Sequence, residues 1–457
     1  MCGIAGAAGK DSKPFVKTML ETIRHRGPDG WGASFLGDIT LGNVLLKITG
    51  DRGQPIYNKN ALTYNGEIYN FRDIARKLNI TTDSDSEALF ALIGKKGVEK
   101  AIDELDGDYA FAYAADGELR LARDPAGVKP LYYGIAGGLF AFASEKKALC
   151  VIGVNTIRTL TPGHMLSYRA GKFMEKKVSS FATGEKITDE TIASKALFGA
   201  IEQAVKKRSC KPCAIAFSGG LDSSLICALS REAKLYSAGM AGSHDIKQTT
   251  KAARLLGLDD KLHLHELMAD EVESAIPDVI RAVESPDPLK VSIAMPLFFA
   301  SKDAGRDGIR VMLSGQGADE LFAGYKRYES LDYGELEPAL RRDLDNIAGN
   351  NLERDDAVTM ANSVELRVPY LDRQVVELAL RIAPELKIHK GMRKYILRMA
   401  AKEILPDELV FKEKKAAQYS SGIHSQLEKL ARKNGYSGEG YLRKYLEDIN
   451  RNSECVT

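Results

Sequence analysis

The rhythm of apolar and polar positions changes once along the chain, near residue 185. Before that point short alternating or apolar runs dominate, at 39–46, 61–64, 109–113, 118–122, 131–134 and 139–143. Turn residues separate them, a pattern that predicts packed antiparallel sheets. Helices are predicted at 13–24 and from Asp85 or Ser86 to about Gly97. The polar stretch 181–186 reads as a linker, which sets domains at 1–184 and 185–457. Beyond it, Ile192, Leu197, Ile201 and Val205 fall near one face of a long helix. Apolar strands at 214–217, 235–240, 262–267 and 309–313 then alternate with helical sequence. That order predicts a doubly wound parallel sheet, with ligands at the C-terminal ends of its strands.

Composition narrows the class. A chain of 457 residues exceeds one ordinary core, so two or three domains are expected. The 64 basic and 62 acidic residues nearly cancel, which gives no reason to expect nucleic acid or an acidic membrane as partner. No apolar run is long enough to span a bilayer, and no signal-peptide core opens the chain. Six scattered cysteines suit a reducing, cytoplasmic setting. The pair Cys210 and Cys213 has knuckle or redox spacing, but no second pair completes a tetrahedral site. His263 and His265 alternate on a strand and read as structural.

Chemistry concentrates in a few blocks. Removal of Met1 would leave Cys2 with a thiol and an α-amine on one residue, a nucleophile beside its own base. Cys2, the block His25-Arg26-Gly27-Pro28-Asp29-Gly30, then Asn65-Gly66-Glu67 and Ser84-Asp85-Ser86 follow in the order seen in class II glutamine amidotransferases, which this third of the chain resembles. The resemblance implies an N-terminal-nucleophile αββα sandwich that releases ammonia from glutamine through a thioester. It makes Cys2 the nucleophile, with the Asn65 side chain and Gly66 N–H as the oxyanion hole. Glu67 and Asp85 would hold the α-ammonium and amide of glutamine, and Arg26 would support the Cys2 loop within the glutamine site. The family arginine that grips the glutamine carboxylate is replaced by Leu45. Lys47, on the same strand face as Leu45, or Arg52 would stand in.

The second strong block is Ser218-Gly219-Gly220-Leu221-Asp222-Ser223-Ser224, where an apolar strand runs through a glycine turn into a helix from Ser223 to about Ala233. This geometry aims backbone N–H groups at an anion. It is not a Walker A loop. It resembles the pyrophosphate loop of ATP-pyrophosphatase synthetases. A turn at Ser237-Ala238-Gly239-Met240 would face adenine, and Ser314-Gly315-Gln316-Gly317-Ala318-Asp319 resembles a block of asparagine synthetases. Many relatives carry glutamate at the position of Gln316. The resemblance makes Asp222 and Asp319 the ligands of Mg²⁺, a hard cation suited to carboxylates plus phosphates. It makes Glu284 the acceptor of a proton from attacking ammonia, and Lys394 the group that stabilises charge on the α-phosphate. Lys415 would be a second phosphate contact. Glu365–Asp372 fits a further block of the same family.

Together these matches cover nearly the whole chain and imply a glutamine-dependent asparagine synthetase. Glutamine would be hydrolysed at Cys2, aspartate adenylated by ATP–Mg²⁺, and ammonia passed internally to displace AMP. An amidotransferase acting on a different carboxylate, or a ligase resembling β-lactam synthetase, shares these features. The intact Cys2 argues against the latter, because a cyclising enzyme has no need of ammonia. A regulatory protein with a degenerate site would account for Leu45 and Gln316, and a thiouridine-forming tRNA enzyme for Cys210 and Cys213. The partners expected are small molecules, with a homodimer left open.

Overall fold

A computed structural model describes residues 2–412 and 421–454. Lys415 therefore lies outside the described residues. The chain divides into two compact units, one of residues 1–182 with 347–356, the other of 183–346 with 357–457.

In the first unit two six-stranded sheets face each other. One contains β1 (Cys2–Ala8), β2 (Gly30–Leu36), β3 (Ile39–Leu45), β8 (Tyr132–Ala136), β9 (Leu139–Ala143) and β10 (Arg158–Thr159). The other contains β4 (Ile56–Tyr57), β5 (Ala61–Ile68), β6 (Gly107–Ala115), β7 (Glu118–Arg123), β11 (His164–Arg169) and β12 (Lys172–Lys177). Every ladder between these strands is antiparallel. Ile4, Leu41 and Phe140 from one sheet and Ala112, Leu121 and Leu166 from the other form the core between them. The helix Ser12–Thr22 covers the outer face of the first sheet through Val16, Met19 and Leu20. The helices Phe71–Leu78, Asp85–Lys96 and Val98–Ile102 cover the second. This is the αββα sandwich expected from the sequence. β1 is buried along its whole length, which places Cys2 inside the protein.

The second unit is built on a five-stranded parallel sheet: β13 (Ala214–Ala216), β14 (Lys234–Met240), β15 (Leu262–Leu267), β16 (Val311–Leu313) and β17 (Glu365–Arg367). The order across the sheet is β15-β14-β13-β16-β17. The chain thus changes direction of travel between β13 and β16, and the loops after these two strands flank the crevice where open α/β sheets hold ligands.

Three expectations are corrected. Ile192 is 61% exposed although Leu197, Ile201 and Val205 are fully buried. Five residues advance a helix by well over one turn, so Ala193 takes the inward position instead. Residues 237–240 do not form a turn: they continue β14, paired with 264–267 of β15, and Met240 ends the strand. The helix after the glycine loop runs Leu221–Leu229 and stops short of 233. β17 was not foreseen as a strand, because three residues carry too little alternation to register.

Candidate active sites

Cys2 begins β1 opposite Leu45 of β3. Burial pushes its thiol above the ordinary range, so ionising it needs a nearby base. Its backbone N–H donates to Asn65 Oδ1 at 3.1 Å, which turns the Asn65 amide so that Nδ2 is buried without a hydrogen-bond partner among the described residues. A buried donor with no acceptor is costly, and such a group in a site is a place for an oxyanion. Gly66, next along β5, has φ 155°, and a Cβ there would stand 2.2 Å from the Asp108 carbonyl oxygen. Only glycine allows this approach of β5 to β6.

A narrow cleft opens beside Cys2 and is lined by Lys47, Arg52, Gly66, Glu67 and Asp85 among others. Glu67 accepts from the Thr49 hydroxyl at 2.8 and 2.9 Å. Asp85 accepts from the Tyr64 hydroxyl at 2.8 Å and from the Ile68 and Ser86 N–H groups at 3.1 and 2.8 Å. Burial, then the charge of Glu67, raises the Asp85 carboxyl to about 7. The pair of acids suits a ligand that brings its own ammonium.

Lys47 is half exposed and its ammonium is paired with Asp51. Arg52 pairs with Glu87 at 3.1 Å. Both are cations at the rim of the cleft, on ion pairs that a carboxylate can compete for. Arg26 is not among the cleft residues. It is fully buried and its Nε donates to the Cys2 carbonyl at 3.3 Å. Its guanidinium is held by Glu145 at 2.9 Å and Asp356 at 2.8 Å, so it fixes the strand that carries Cys2. One residue escaped the sequence reading. Gln54 points its Nε2 at Cys2 Sγ, 3.9 Å away, while its Oε1 accepts from the Tyr64 N–H at 2.8 Å. A loop glutamine has no periodicity or charge to mark it.

In the second unit, Ser218 and Ser223 tie the glycine loop to the start of its helix. Their hydroxyls are 3.1 Å apart, and the Ser218 N–H donates to Ser223 Oγ at 3.3 Å. Ser224 Oγ is buried without a partner among the described residues. Gly219 has φ 64°, and a Cβ there would meet the Gln248 carbonyl oxygen at 2.9 Å. Gly315, after β16, leaves only 3.0 Å between its own would-be Cβ and that of Asp222. The two loops are thereby brought together, as the switch point requires. Gly239 and Met240 end β14, and the Met240 N–H donates to the Ser421 carbonyl at 2.9 Å. Ser314 is fixed by its N–H to the Arg367 carbonyl at 2.9 Å. Glu284 sits in the left-handed region, φ 53°, at the C-terminal end of the helix Ala269–Val283.

Lys394 joins the two acidic residues of this site. Its Nζ lies 2.7 and 2.6 Å from the carboxylate oxygens of Asp222 and 2.7 Å from Asp319 Oδ1. Burial works against its charge, but the two carboxylates outweigh that and raise its affinity for the proton. Two carboxylates that converge on one cation suit a divalent ion sharing its remaining ligands with phosphates. Behind them, the 365–372 block serves as scaffold. Arg367 pairs with Glu365 at 2.7 Å, Asp372 with Lys207 at 2.6 Å, and the Tyr370 hydroxyl donates to the Asp222 carbonyl at 3.1 Å. His265 is likewise structural, bridging Asp303 at 2.7 Å and Glu271 at 3.1 Å.

Comparison with known proteins agrees with both halves. Residues 1–185 match the glutamine amidotransferase domain family. Residues 196–340 and 330–446 match the asparagine synthase family. A Methanocaldococcus jannaschii protein assigned as asparagine synthetase [glutamine-hydrolyzing] 1 is 34% identical, over 99% of each chain. Asparagine synthetase B [glutamine-hydrolyzing] of Escherichia coli is 30% identical, over 93% of this chain and 85% of its own. Asparagine synthetase [glutamine-hydrolyzing] 1 of Saccharomyces cerevisiae is 29% identical over the same shares. With a buried cysteine hydrogen-bonded to an asparagine amide in one unit, and a glycine loop beside paired carboxylates in the other, the chain belongs to the family of glutamine-hydrolysing asparagine synthetases.

Proposed function

We propose that the chain makes asparagine from aspartate, with glutamine as nitrogen donor and ATP as activating substrate, and that 1–184 serve the first step and 185–457 the second. With Met1 removed, the Cys2 amine, of ordinary pKa about 7.7–8.0, takes the thiol proton. The thiolate attacks the glutamine side-chain amide, and the oxygen that gains charge is met by Asn65 Nδ2 and the Gly66 N–H. The ammonium of Cys2 returns its proton to the leaving ammonia, and water then opens the thioester. Glu67 and Asp85 hold the α-ammonium and amide, Lys47 takes the carboxylate, and Arg26 keeps Cys2 in place. Arg52 is the second cation within reach.

At the other site, the N–H groups and hydroxyls of Ser218, Gly219, Gly220, Ser223 and Ser224 receive the departing pyrophosphate. Gly239, Met240, Ser314 and Gly315 frame the rest of the nucleotide, and Lys415 is a further phosphate contact. Asp222 and Asp319 would hold Mg²⁺, which supplies neutralisation of charge on the leaving group. Lys394 stabilises the α-phosphate as the aspartate carboxylate attacks it. Glu284 accepts a proton as ammonia displaces AMP.

The observation that carries the reading is the buried Nδ2 of Asn65, a donor without an acceptor next to Cys2. AMP, pyrophosphate and asparagine are to be measured from aspartate, ATP and Mg²⁺, with glutamine or ammonium as nitrogen source. Wild type and Cys2→Ala are expected to perform alike on ammonium, and only wild type to use glutamine. AMP formation with another acid but not aspartate would refute the acceptor assignment. No helix among the described residues is long and apolar enough to cross a membrane. We infer a cytoplasmic enzyme of small molecules; a homodimer is the assembly to be checked by light scattering.

A further inference from the structure

A lysine that serves a phosphate is expected to face the space the phosphate will fill. Lys394 instead lies between Asp222 and Asp319, in contact with three of their oxygens and 3% exposed. Its surroundings hold it there. Its own backbone is in the left-handed region, φ 56°. The adjacent Arg393 donates to the Gly324 carbonyl at 2.7 Å and pairs with Glu329 at 2.7 Å. Gly324 packs so closely that a Cβ would fall 2.3 Å from Lys394 Cε and 1.8 Å from Asp319 Oδ1. The ammonium thus sits between the two carboxylates, with Gly324 packed against it and against Asp319.

We propose that Lys394 is the resident counter-ion of the two carboxylates and is exchanged for the divalent metal when the metal–nucleotide complex binds. This rests on the reading of Asp222 and Asp319 as metal ligands. Two carboxylates bring a divalent cation only part of its coordination, and phosphates bring the rest. Without nucleotide, an incoming metal meets a like charge in its place and has too few ligands to expel it. With nucleotide, the phosphates supply the missing ligands and also an anionic destination for the displaced ammonium. Metal and nucleotide therefore bind as one unit, and the lysine is delivered to the phosphate by the same exchange.

The test uses Mn²⁺ as a paramagnetic probe, its free fraction read by electron paramagnetic resonance on the full chain. Without nucleotide, Lys394→Met is expected to bind Mn²⁺ at least about tenfold more tightly than wild type, and to gain thermal stability from Mn²⁺ alone. Wild type should gain neither until an ATP analogue with a non-cleavable α,β-bridge is present. Equal nucleotide-free affinity in the two proteins overturns the exchange. If Lys394→Met does not fold, wild type decides alone: tight stoichiometric Mn²⁺ binding without nucleotide, lost in Asp319→Asn, overturns it. Nucleotide-dependent Mn²⁺ binding that survives both Asp222→Asn and Asp319→Asn removes the metal reading itself, and the proposal with it.

Discussion

Asp85, proposed to help hold the glutamine ammonium, is buried at a cost to the ligand-free protein, and the cost has a pH signature. Its carboxyl ordinarily titrates at 3.8 and is raised to about 7 in the fold, by burial first and by Glu67 second. For an acid raised in this way, full stability is present below the unfolded value and is lost as pH climbs toward the folded value. The loss relative to low pH is on the order of 2 kcal/mol at pH 5 and on the order of 4 kcal/mol at pH 8. Asp85→Asn removes the charge at every pH. It also turns an amide N–H toward the Tyr64 hydroxyl or the Ile68 N–H, which costs about 1–3 kcal/mol. That second effect does not depend on pH and cancels when two pH values are compared. The variant is therefore expected to gain on the order of 2–3 kcal/mol on wild type between pH 5 and pH 8. Urea unfolding followed by tryptophan fluorescence reads this unit alone, because Trp31 is the single tryptophan of the chain. A stability difference between the two proteins that is the same at both pH values would refute the reasoning. The variant should also lose glutamine-dependent activity, even where it is the more stable protein.

Asn65→Ala removes the unpartnered donor and is expected to lower glutaminase kcat by about 10²–10³, with ammonium-dependent synthesis unchanged in a coupled AMP assay. Retention of Met1, confirmed by mass spectrometry in a chain given one extra N-terminal residue, should abolish glutamine use and leave ammonium use intact, since the Cys2 nitrogen stays an amide. Arg123→Ala should cost about 3 kcal/mol or more in denaturant unfolding. Its guanidinium donates to the Lys129, Leu160 and Gly127 carbonyls at 2.8, 2.9 and 2.9 Å, and all three would be left buried. Gly66→Ala should yield little folded protein, as its Cβ has no room against β6.

What the sequence revealed was chemistry tied to short, ordered motifs. Cys2, Glu67 and Asp85 line one cleft, with Asn65 hydrogen-bonded to the Cys2 N–H, and Asp222, Asp319 and Lys394 meet at one point, although up to 172 residues separate them. Alternation located most strands, and β15 to the residue. What stayed hidden depends on partners rather than pattern. Gln54 matters through where its amide points, and Glu145 and Asp356, the carboxylates that hold Arg26, carry no motif of their own. Lys47 looked placed for a substrate carboxylate, but a nearer acid, Asp51, already holds its ammonium. β17 exists because β16 offers it a ladder, not because its own residues demand extension.

The segment 347–356 belongs with the first unit although some 165 residues intervene. Asp356 from this segment neutralises Arg26, and Glu353 reaches Arg123 at 3.2 Å. Cutting the gene after residue 184 would therefore not release a finished glutaminase. The fragment would retain two buried guanidinium groups, each short of an anion, where breaking such a pairing costs about 3–5 kcal/mol. Recombination that trades one catalytic half for another as a contiguous cassette meets the same obstacle. The stretch that completes the first activity is inherited inside the coding region of the second, so descent is expected to keep the two together.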